Sequence, residues 1–469
     1  MFTIFKNEWK ALIRNKLFLF FSVFFILLLI VTTYFGIIQN NQQIQNQKSA
    51  QEHIRKQWEE MGPYNAHSAA HFGTYAFKPN SILSNLDEGV NAVTGIVLRL
   101  EGHKQNDVAF SEASQSLFVS QFGKFKISLL FQFIIPLLLI FFSFNIYTSE
   151  ITSGRLKLLI VQGNSFSKII FAKIMTLLSL AALLFLLSIL FQLLFNYNQI
   201  GWEQIFRLSI FLISYLLYYL IIISFTVLVS LIFKNNTSAL SLTLICWFLW
   251  TIFLPKIIGS FTENLTTQPS RFSLQNSMDE DRAKGIDGHN PEDKRIKNLE
   301  AKVLEEYNVD SLSQLPINFY GILLQADEEY GNKVWDKHYG KLYSNLIEQK
   351  KHYQLSGIIN PFASLQSLSM AASGTDLIHH LDFLNKAEIY RRGFIKALNH
   401  EYTYGDFKID GGNLSSSDFF KSINDFNYIE LSIQKNIFKY FTDILCLILW
   451  TVILLLIIHN KTKTYLINE

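Results

Sequence analysis

The chain has 469 residues and a formal net charge of +3, with 41 basic and 38 acidic side chains. This near balance excludes the strong basic field typical of nucleic-acid binding, and it also excludes a long acidic tail. Both cysteines, Cys246 and Cys446, lie in apolar runs, where we expect them to pack as small hydrophobic side chains without forming a disulfide.

Apolar residues are concentrated in six segments, each long enough to cross a membrane. A bilayer core of about 30 Å requires about 20 apolar residues in a helix, because unsatisfied backbone groups are costly in hydrocarbon. We therefore predict an all-α integral membrane protein with six transmembrane helices. They are placed at residues 17–38, 127–147, 174–195, 208–233, 239–258 and 440–458. A polar break at residues 234–238 predicts a tight hairpin between the fourth and fifth of them.

Basic residues in the short connections predict the orientation. Most of them precede the first span, lie between the second and third spans, or follow the sixth. This positive-inside bias places both termini in the cytoplasm, including a tail at residues 459–469. Residues 39–126 and 259–439 are then two extracytoplasmic segments.

Residues 1–16 are predicted to form an amphipathic helix along the inner leaflet. Phe5 and Trp9 recur at helical spacing, and Lys6 and Lys10 occupy another face. The alternative is an ordinary basic flank that only fixes the topology.

The extracytoplasmic segments are predicted to form a mainly helical domain. Residues 314–350 indicate a long helix that begins near Pro316, and Ser373 or Thr375 is expected to cap a later one. Residues 279–297 are polar enough to predict a mobile loop.

The connection at residues 148–173 carries the most specific pattern. It contains an acidic residue, a glycine, an apolar helical run and a second glycine before Lys173: Glu150, Gly154, Arg155, Leu158, Leu159 and Gly163. This pattern resembles the coupling helix of type-2 ABC exporter permeases, which fits a groove on a separate ATPase subunit. Arg155 stands where that family usually has Thr. The alternative is a re-entrant loop that packs only on its own bundle.

The resemblance covers nearly the whole chain. Residues 1–16 correspond to the elbow helix of that family, Pro136 lies in a similar second span, and the number of spans agrees. It implies a permease subunit that moves or extracts a substrate with energy from a partner ATPase. The large outer segments resemble a branch of inner-membrane permeases with a domain of unknown function, and this branch fixes no substrate.

No Gly-x-x-x-x-Gly-Lys-Ser/Thr phosphate loop occurs in the sequence. The chain is therefore predicted not to be an enzyme and to bind no cofactor itself. The resemblance implies that ATP and Mg are bound by the partner subunit. It also implies a second permease copy or a related permease, since six spans form half a pathway in this family. Membrane lipid and an extracytoplasmic partner are expected contacts, and nucleic acid is not.

Polar residues of the outer segments carry the narrower resemblance: His67, His71, Tyr75, His103, Asp376, His379 and His380. His67 and His71, four residues apart, could ligate a metal, with His103, His379 or His380 completing the site. Two histidines are too few ligands to complete a metal site. Position 68 is Ser, whereas zinc peptidases have Glu directly after the first His. Hydrogen-bonded or surface histidines are therefore the alternative, and no metal is assigned.

Asp443, near the outer end of the sixth span, either lines a pathway or is an interfacial residue.

Three functions follow from these patterns. The first is an ATP-driven exporter permease, and the second is an ATPase-coupled mechanotransmitter or sensor that passes no substrate. The third is a membrane metalloenzyme that uses the outer histidines.

Overall fold

The computed structural model describes residues 1–79, 82–106, 108, 126–194, 201–233, 235–405 and 414–463. These residues are mainly helical, and six of their helical segments are long and apolar enough to cross a membrane. We call them spans 1 to 6: Lys16–Glu59, Ile127–Thr152, Phe166–Phe191, Trp202–Phe233, Asn236–Leu265 and Ile433–Lys463. The predicted all-α membrane fold with six spans is confirmed. The predicted end of the third span at residue 195, hairpin residue 234 and the tail after Lys463 lie outside the described residues.

The N-terminal part contains two long helices and then short elements: α1 (Phe2–Arg14), α2 (Lys16–Glu59), β1 (Tyr64–Asn65), α3 (Ala66–Phe72), β2 (Thr74–Phe77), α4 (Asn91–Thr94), β3 (Val97–Glu101) and β4 (Lys104–Gln105). Strands β2, β3 and β4 form an antiparallel sheet in which Thr74 lies opposite Leu100. Helix α2 continues past residue 38 to Glu59 and is about 66 Å long. No Gly or Pro occurs between residues 39 and 59, and Gly62 and Pro63 follow its end.

The middle of the chain forms spans 2 to 5 and their connections: α5 (Ile127–Leu129), α6 (Ile135–Ser143), α7 (Ile146–Thr152), α8 (Arg155–Val161), α9 (Phe166–Leu194), α10 (Trp202–Phe233), α11 (Asn236–Phe248) and α12 (Leu254–Leu265). Spans 2 and 5 each contain a π-helical turn, Leu130–Ile134 and Leu249–Phe253. Each turn lies just before a proline, Pro136 or Pro255, which cannot donate a backbone hydrogen bond.

The regular elements of the described C-terminal part are mainly helices: α13 (Arg271–Lys284), α14 (Glu292–Tyr307), α15 (Phe319–Leu355), α16 (Pro361–Ser373), α17 (Leu377–Tyr404), β5 (Leu414–Ser415), α18 (Ser417–Ser422), α19 (Ile433–Asn436) and α20 (Phe441–Lys463). Strand β5 pairs with β1, and Tyr64 lies opposite Ser415. This pairing joins the region between spans 1 and 2 to the region between spans 5 and 6. We call the two regions together the outer domain.

The loop predicted at residues 279–297 is shorter in the structure and spans residues 285–291, because α13 continues to Lys284 and α14 begins at Glu292. Ion pairs hold the polar helix α13 against α15. They join Arg282 to Asp327, and Asp281 to both Lys337 and His338. Acidic residues in the first turn of α14 also favour a helix there. Polar composition alone therefore did not distinguish a solvated loop from a helix held by ion pairs.

The starts of two outer helices also differ from the predictions. Helix α15 begins at Phe319, and the side chain of Asn318 caps it by accepting a hydrogen bond from the Tyr320 backbone. Helix α17 is capped by the Asp376 side chain, which accepts a hydrogen bond from the backbone of His379. Asp376 therefore occupies the capping position predicted for Ser373 or Thr375.

Helix α16 lies inside the predicted outer segment 259–439, yet it packs against spans 4 and 6. Its Phe362, Leu365 and Leu368 side chains are buried in the same apolar core as the spans. The helix has 13 residues, too few to cross a bilayer. Its serines and alanines permit close approach of neighbouring helices. The outer domain is thus inserted into one end of the helical bundle.

Candidate coupling site

The connection between spans 2 and 3 is a short helix–turn–helix unit. Helix α7 ends at Thr152 and α8 runs from Arg155 to Val161. Gly154 between them has a φ of +68°, and Gly163 after α8 has a φ of +85°. Both values lie in the left-handed region, which glycine adopts without steric strain. Added Cβ atoms there would meet nothing within 4 Å, so backbone conformation and not space favours glycine.

A buried ion cluster lies at the base of this unit and joins four helices. The Glu150 carboxylate is 2.9 Å from the Lys173 ammonium and 3.2 Å from the Arg155 guanidinium. Lys173 also lies 2.7 Å from the Glu8 carboxylate. The side chains of Glu150 and Lys173 are only 3% and 6% exposed. Because an unpaired buried charge is costly, the Glu150–Lys173 pair holds α7 against α9, and the more exposed Glu8 and Arg155 join α1 and α8 to it.

Helix α8 presents an apolar face to the outside of the molecule. Leu156 is buried against the bundle, whereas Leu158 and Val161 are 64% and 79% exposed. The exposure of Leu159 is intermediate. Exposed apolar side chains on a short helix at the end of a bundle are typical of an interaction surface.

Helix α1 packs beside this site on span 3. The Trp9 indole N–H donates a hydrogen bond of 2.9 Å to the Ser179 hydroxyl, and Ile4 is buried. Helix α20 also ends near the site, since His459 is 3.3 Å from the Ser167 hydroxyl at the start of span 3. The Thr148 hydroxyl also contacts the Asn236 side chain, which places the turn between spans 4 and 5 at this end. We call it the terminal end of the bundle.

Asp443 lies at the opposite end and is fully buried. Its carboxylate accepts hydrogen bonds from the Gln354 amide at 2.5 Å and from the Ser367 hydroxyl at 2.7 Å. The residue is therefore enclosed between α15, α16 and α20, and its role in a pathway stays a prediction.

Asp376 and His379 belong to a second buried polar network at this end. Asp376 accepts hydrogen bonds from the His379 ring at 2.6 Å and the Tyr440 hydroxyl at 2.9 Å. It also pairs with Lys350 at 3.1 Å. Burial alone would raise the pKa of the Asp376 carboxyl, but Lys350 and the hydrogen bonds from His379 lower it well below its ordinary value. The other ring nitrogen of His379 lies 3.4 Å from Arg207 of span 4.

His380 and Tyr75 lie apart from this network. The His380 side chain is buried, and this burial, together with the nearby charge of Lys78, lowers its pKa to about 4. Tyr75 lies in β2 opposite Arg99, and its ring is 6.3 Å from that of Phe77.

His67, His71 and His103 lie together on the surface of the outer domain. One ring nitrogen from each lies within 4.8 Å of the others. Desolvation lowers the pKa of His67, and the neighbouring His71 and His103 lower it further. Of the three partners predicted for the first two histidines, the structure brings His103 to them, whereas His379 and His380 take the positions described above.

Several residues that complete these sites were not predicted from the sequence. Glu8 had no pattern that linked it to Lys173, since the two are far apart in the chain. Glu328 and Arg391 form a buried ion pair of 3.1 Å beside His103. They lie in long helices whose charged residues recur throughout. Glu328 and Arg391 differ from their solvated neighbours in being buried, and the sequence does not reveal this burial.

The fold and site define a membrane protein whose six spans carry a short, partly apolar helix on the same end as α1 and the last described turn of α20. Two family models match the chain. One is described as an ABC-2 family transporter protein and matches residues 65–273. The other is a domain of unknown function (DUF3526) and matches residues 271–429. The two matches together are those of a type-2 ABC permease with an additional domain of unknown function. Comparison with curated proteins and with solved structures gives no match.

Proposed function

We propose that the chain is the permease subunit of an ATP-driven exporter and that α8 docks on a separate ATPase subunit. The observation that carries this proposal is the exposed apolar pair Leu158 and Val161 on α8, the helix whose Arg155 pairs with Glu150 of the ion cluster. The terminal end then faces the cytoplasm of an inner membrane, and the outer domain faces the other side. ATP and Mg are bound by the partner, and a second permease completes the pathway.

The ion cluster gives a physical route for transmission from the partner. A force on α8 acts on Arg155 and reaches Glu150 at the end of span 2 and Lys173 in span 3. Lys173 in turn holds Glu8 of the elbow helix α1. Since the Glu150–Lys173 pair in the middle of this route is buried and ionic, we expect these helices to move together as a rigid group. The partner drives this motion if its nucleotide-bound and nucleotide-free forms contact α8 differently.

The insertion of α16 favours mechanotransmission as a second candidate function. This helix packs against spans 4 and 6, so a movement of those spans displaces the outer domain. Arg207 of span 4 contacts the outer domain as well, through Glu430 at 3.2 Å and the Leu431 carbonyl. A subunit of this construction can act on an extracytoplasmic partner without passing a substrate.

Copurification from the native host tests the docking proposal. We expect an ATP-hydrolysing subunit to copurify with the wild-type chain and to be lost with Leu158→Glu, because a charge would be buried in the interface. Ile389→Glu is the matched control, since Ile389 is 62% exposed in the outer domain and Leu158 is 64% exposed in α8. Equal recovery of the ATPase with both variants, or its absence with the wild type, contradicts the proposal. A substrate transport assay on the intact complex then separates the exporter from the mechanotransmitter.

A further inference from the structure

Three histidines of the outer domain are brought together by two rigid elements. His67 and His71 lie one turn apart on α3, whose start is fixed by Asn65, because its side chain accepts a hydrogen bond from the Ser68 backbone. The alanines of α3, Ala66, Ala69 and Ala70, are buried, so this helix is anchored by its opposite face. The histidine side chains are therefore directed away from the core.

His103 reaches the same place from the turn between β3 and β4. Its backbone is left-handed, with a φ of +60°, which is uncommon outside glycine. The preceding residue, Gly102, donates its backbone N–H to the Ala70 carbonyl at 2.9 Å. An added Cβ at Gly102 would lie 3.4 Å from the Ala70 side chain, so turn and helix are in close contact. This contact places the His103 ring 5.3 Å from the His71 ring and 5.4 Å from the His67 ring, between centroids.

The spacing of the ring nitrogens suits a tetrahedral metal ion. Zn²⁺ binds histidine nitrogen at about 2.0–2.1 Å, so two ligands of a tetrahedral site are about 3.3 Å apart. The Nε2 atoms of His67 and His71 are 3.2 Å apart. All three ligand atoms lie within 4.8 Å of one another, a distance that small side-chain rotations can reduce. His71 is exposed, which gives an ion access from solvent.

A buried carboxylate orients the third histidine. The Nδ1 atom of His103 lies 3.2 Å from a Glu328 oxygen, and this oxygen also accepts the His103 backbone N–H. Glu328 is held in turn by Arg391 at 3.1 Å. Metal-binding histidines commonly donate the ring N–H that faces away from the metal to a carboxylate, which leaves the other nitrogen free to ligate. Because Nδ1 of His103 faces Glu328, Nε2 of His103 is the ring nitrogen available to ligate a metal ion.

We propose that His67, His71 and His103 form a binding site for a divalent transition-metal ion with the preferences of Zn²⁺. Three histidine ligands leave one position for water or a ligand from outside. Zn²⁺ would cross-link α3 to the β3–β4 turn. Through Glu328 of α15, the site also reaches the second region of the outer domain. The proposal is independent of the ATPase partner and concerns the opposite end of the molecule.

The test uses the full-length chain in detergent, purified through a tag without histidine, stripped with a chelator and titrated with Zn²⁺ against a chromophoric competitor. We expect one Zn²⁺ per chain for the wild type and loss of this stoichiometric binding in His71→Ala. Glu328→Gln, which keeps the size of the side chain, is expected to weaken binding by about 10- to 100-fold. His53→Ala is the matched control, because His53 is exposed on α2 and lies outside the cluster.

A second measurement separates loss of a ligand from loss of the fold. Zn²⁺ should raise the midpoint of thermal unfolding of the wild type and of His53→Ala, since a ligand of the folded state stabilises it. It should leave the midpoint of His71→Ala unchanged, while both variants unfold near the wild-type temperature without metal. Equal Zn²⁺ affinity of the wild type and His71→Ala would overturn the proposal. Absence of stoichiometric Zn²⁺ binding by the wild type would overturn it too, and would assign the histidines to a hydrogen-bonded surface cluster.

Discussion

The two ends of the helical bundle both contain buried ion pairs, but they differ in what covers them. At the outer end, Asp376, Lys350 and Arg207 are enclosed by α16, α17 and the start of α20. At the terminal end, the pair formed by Glu150 and Lys173 lies beneath α8, whose outer face is apolar and exposed. The described ion pairs of the outer end are enclosed by the chain itself, whereas the terminal end presents an exposed apolar surface suited to a partner.

This difference indicates that the two ends have different roles in the proposed mechanism. The outer network fixes the outer domain to spans 4 and 6, so that it follows their motion. The terminal cluster fixes α8 to spans 2 and 3, so that it imposes motion on them. This difference between the two ends would be contradicted if either network contributed little to stability, or if the exposed face of α8 contacted no partner.

The largest expected effect is that of Asp376→Ala at the outer end. The substitution removes the cap of α17 and leaves Lys350 without its buried partner. Breaking a buried ion pair by removing one partner costs about 3–5 kcal/mol. We expect the free energy of unfolding in detergent, measured by denaturant titration, to fall by that amount. Asp418→Ala is the control, since Asp418 is 95% exposed and should leave stability unchanged. A loss as small as that of the control would show that the network does not hold the outer domain.

The next effect is a pH dependence that arises from His380. Its pKa is about 4 in the folded chain and about 6.5 when unfolded, so the unfolded chain binds more protons between these values. This contribution to stability is complete above about pH 6.5 and is lost as the pH falls towards 4. The difference corresponds to about 3 kcal/mol.

The non-titrating variant His380→Gln should lose less stability than the wild type by about that amount. The measurement is the free energy of unfolding at about pH 7 and about pH 4.5 in both proteins. Parallel losses in the two proteins would contradict the enclosed position of His380. They would show that the outer end is open to water and resembles the terminal end more closely than the structure indicates.

A smaller effect is expected at the elbow helix. Trp9→Phe keeps an aromatic ring but removes the hydrogen bond to Ser179, so we expect a loss of about 1 kcal/mol. In a double-mutant cycle, Ser179→Ala combined with Trp9→Phe should cost less than the sum of the two single changes. Strictly additive losses would mean that the indole contact does not contribute to the docking of α1 on span 3.

The spans and a helix at the N-terminus could be predicted from the sequence, because both depend on local composition and period. The sequence also predicted the short helix α8, since Gly154 and Gly163 flank it. The placement of α16 against the spans was not predictable in this way. Its length excludes a membrane crossing, and nothing local distinguishes it from an ordinary outer helix.

The polar sites were predicted only in part, because their partners are distant in the chain. The spacing of His67 and His71 was visible, but His103 joins them only through the contact between Gly102 and Ala70. Similarly, Lys173 was recognised as part of the pattern around Glu150, whereas Glu8 joins the cluster only when α1 packs on span 3. Tertiary packing determines these contacts, and single-sequence patterns do not contain it.

A photo-crosslinker at Val161 tests most directly whether α8 docks on an ATPase subunit, because an exposed fraction of 79% leaves this position free to contact a partner. The reference position is Trp202, which is 72% exposed at the start of span 4 on the opposite end. In native membranes we predict an adduct between position 161 and an ATP-hydrolysing subunit, with a yield that changes between ATP-bound and nucleotide-free conditions. Position 202 should give no such adduct. If position 161 gives no adduct with a nucleotide-binding chain, or the same adduct as position 202, α8 is not the coupling helix.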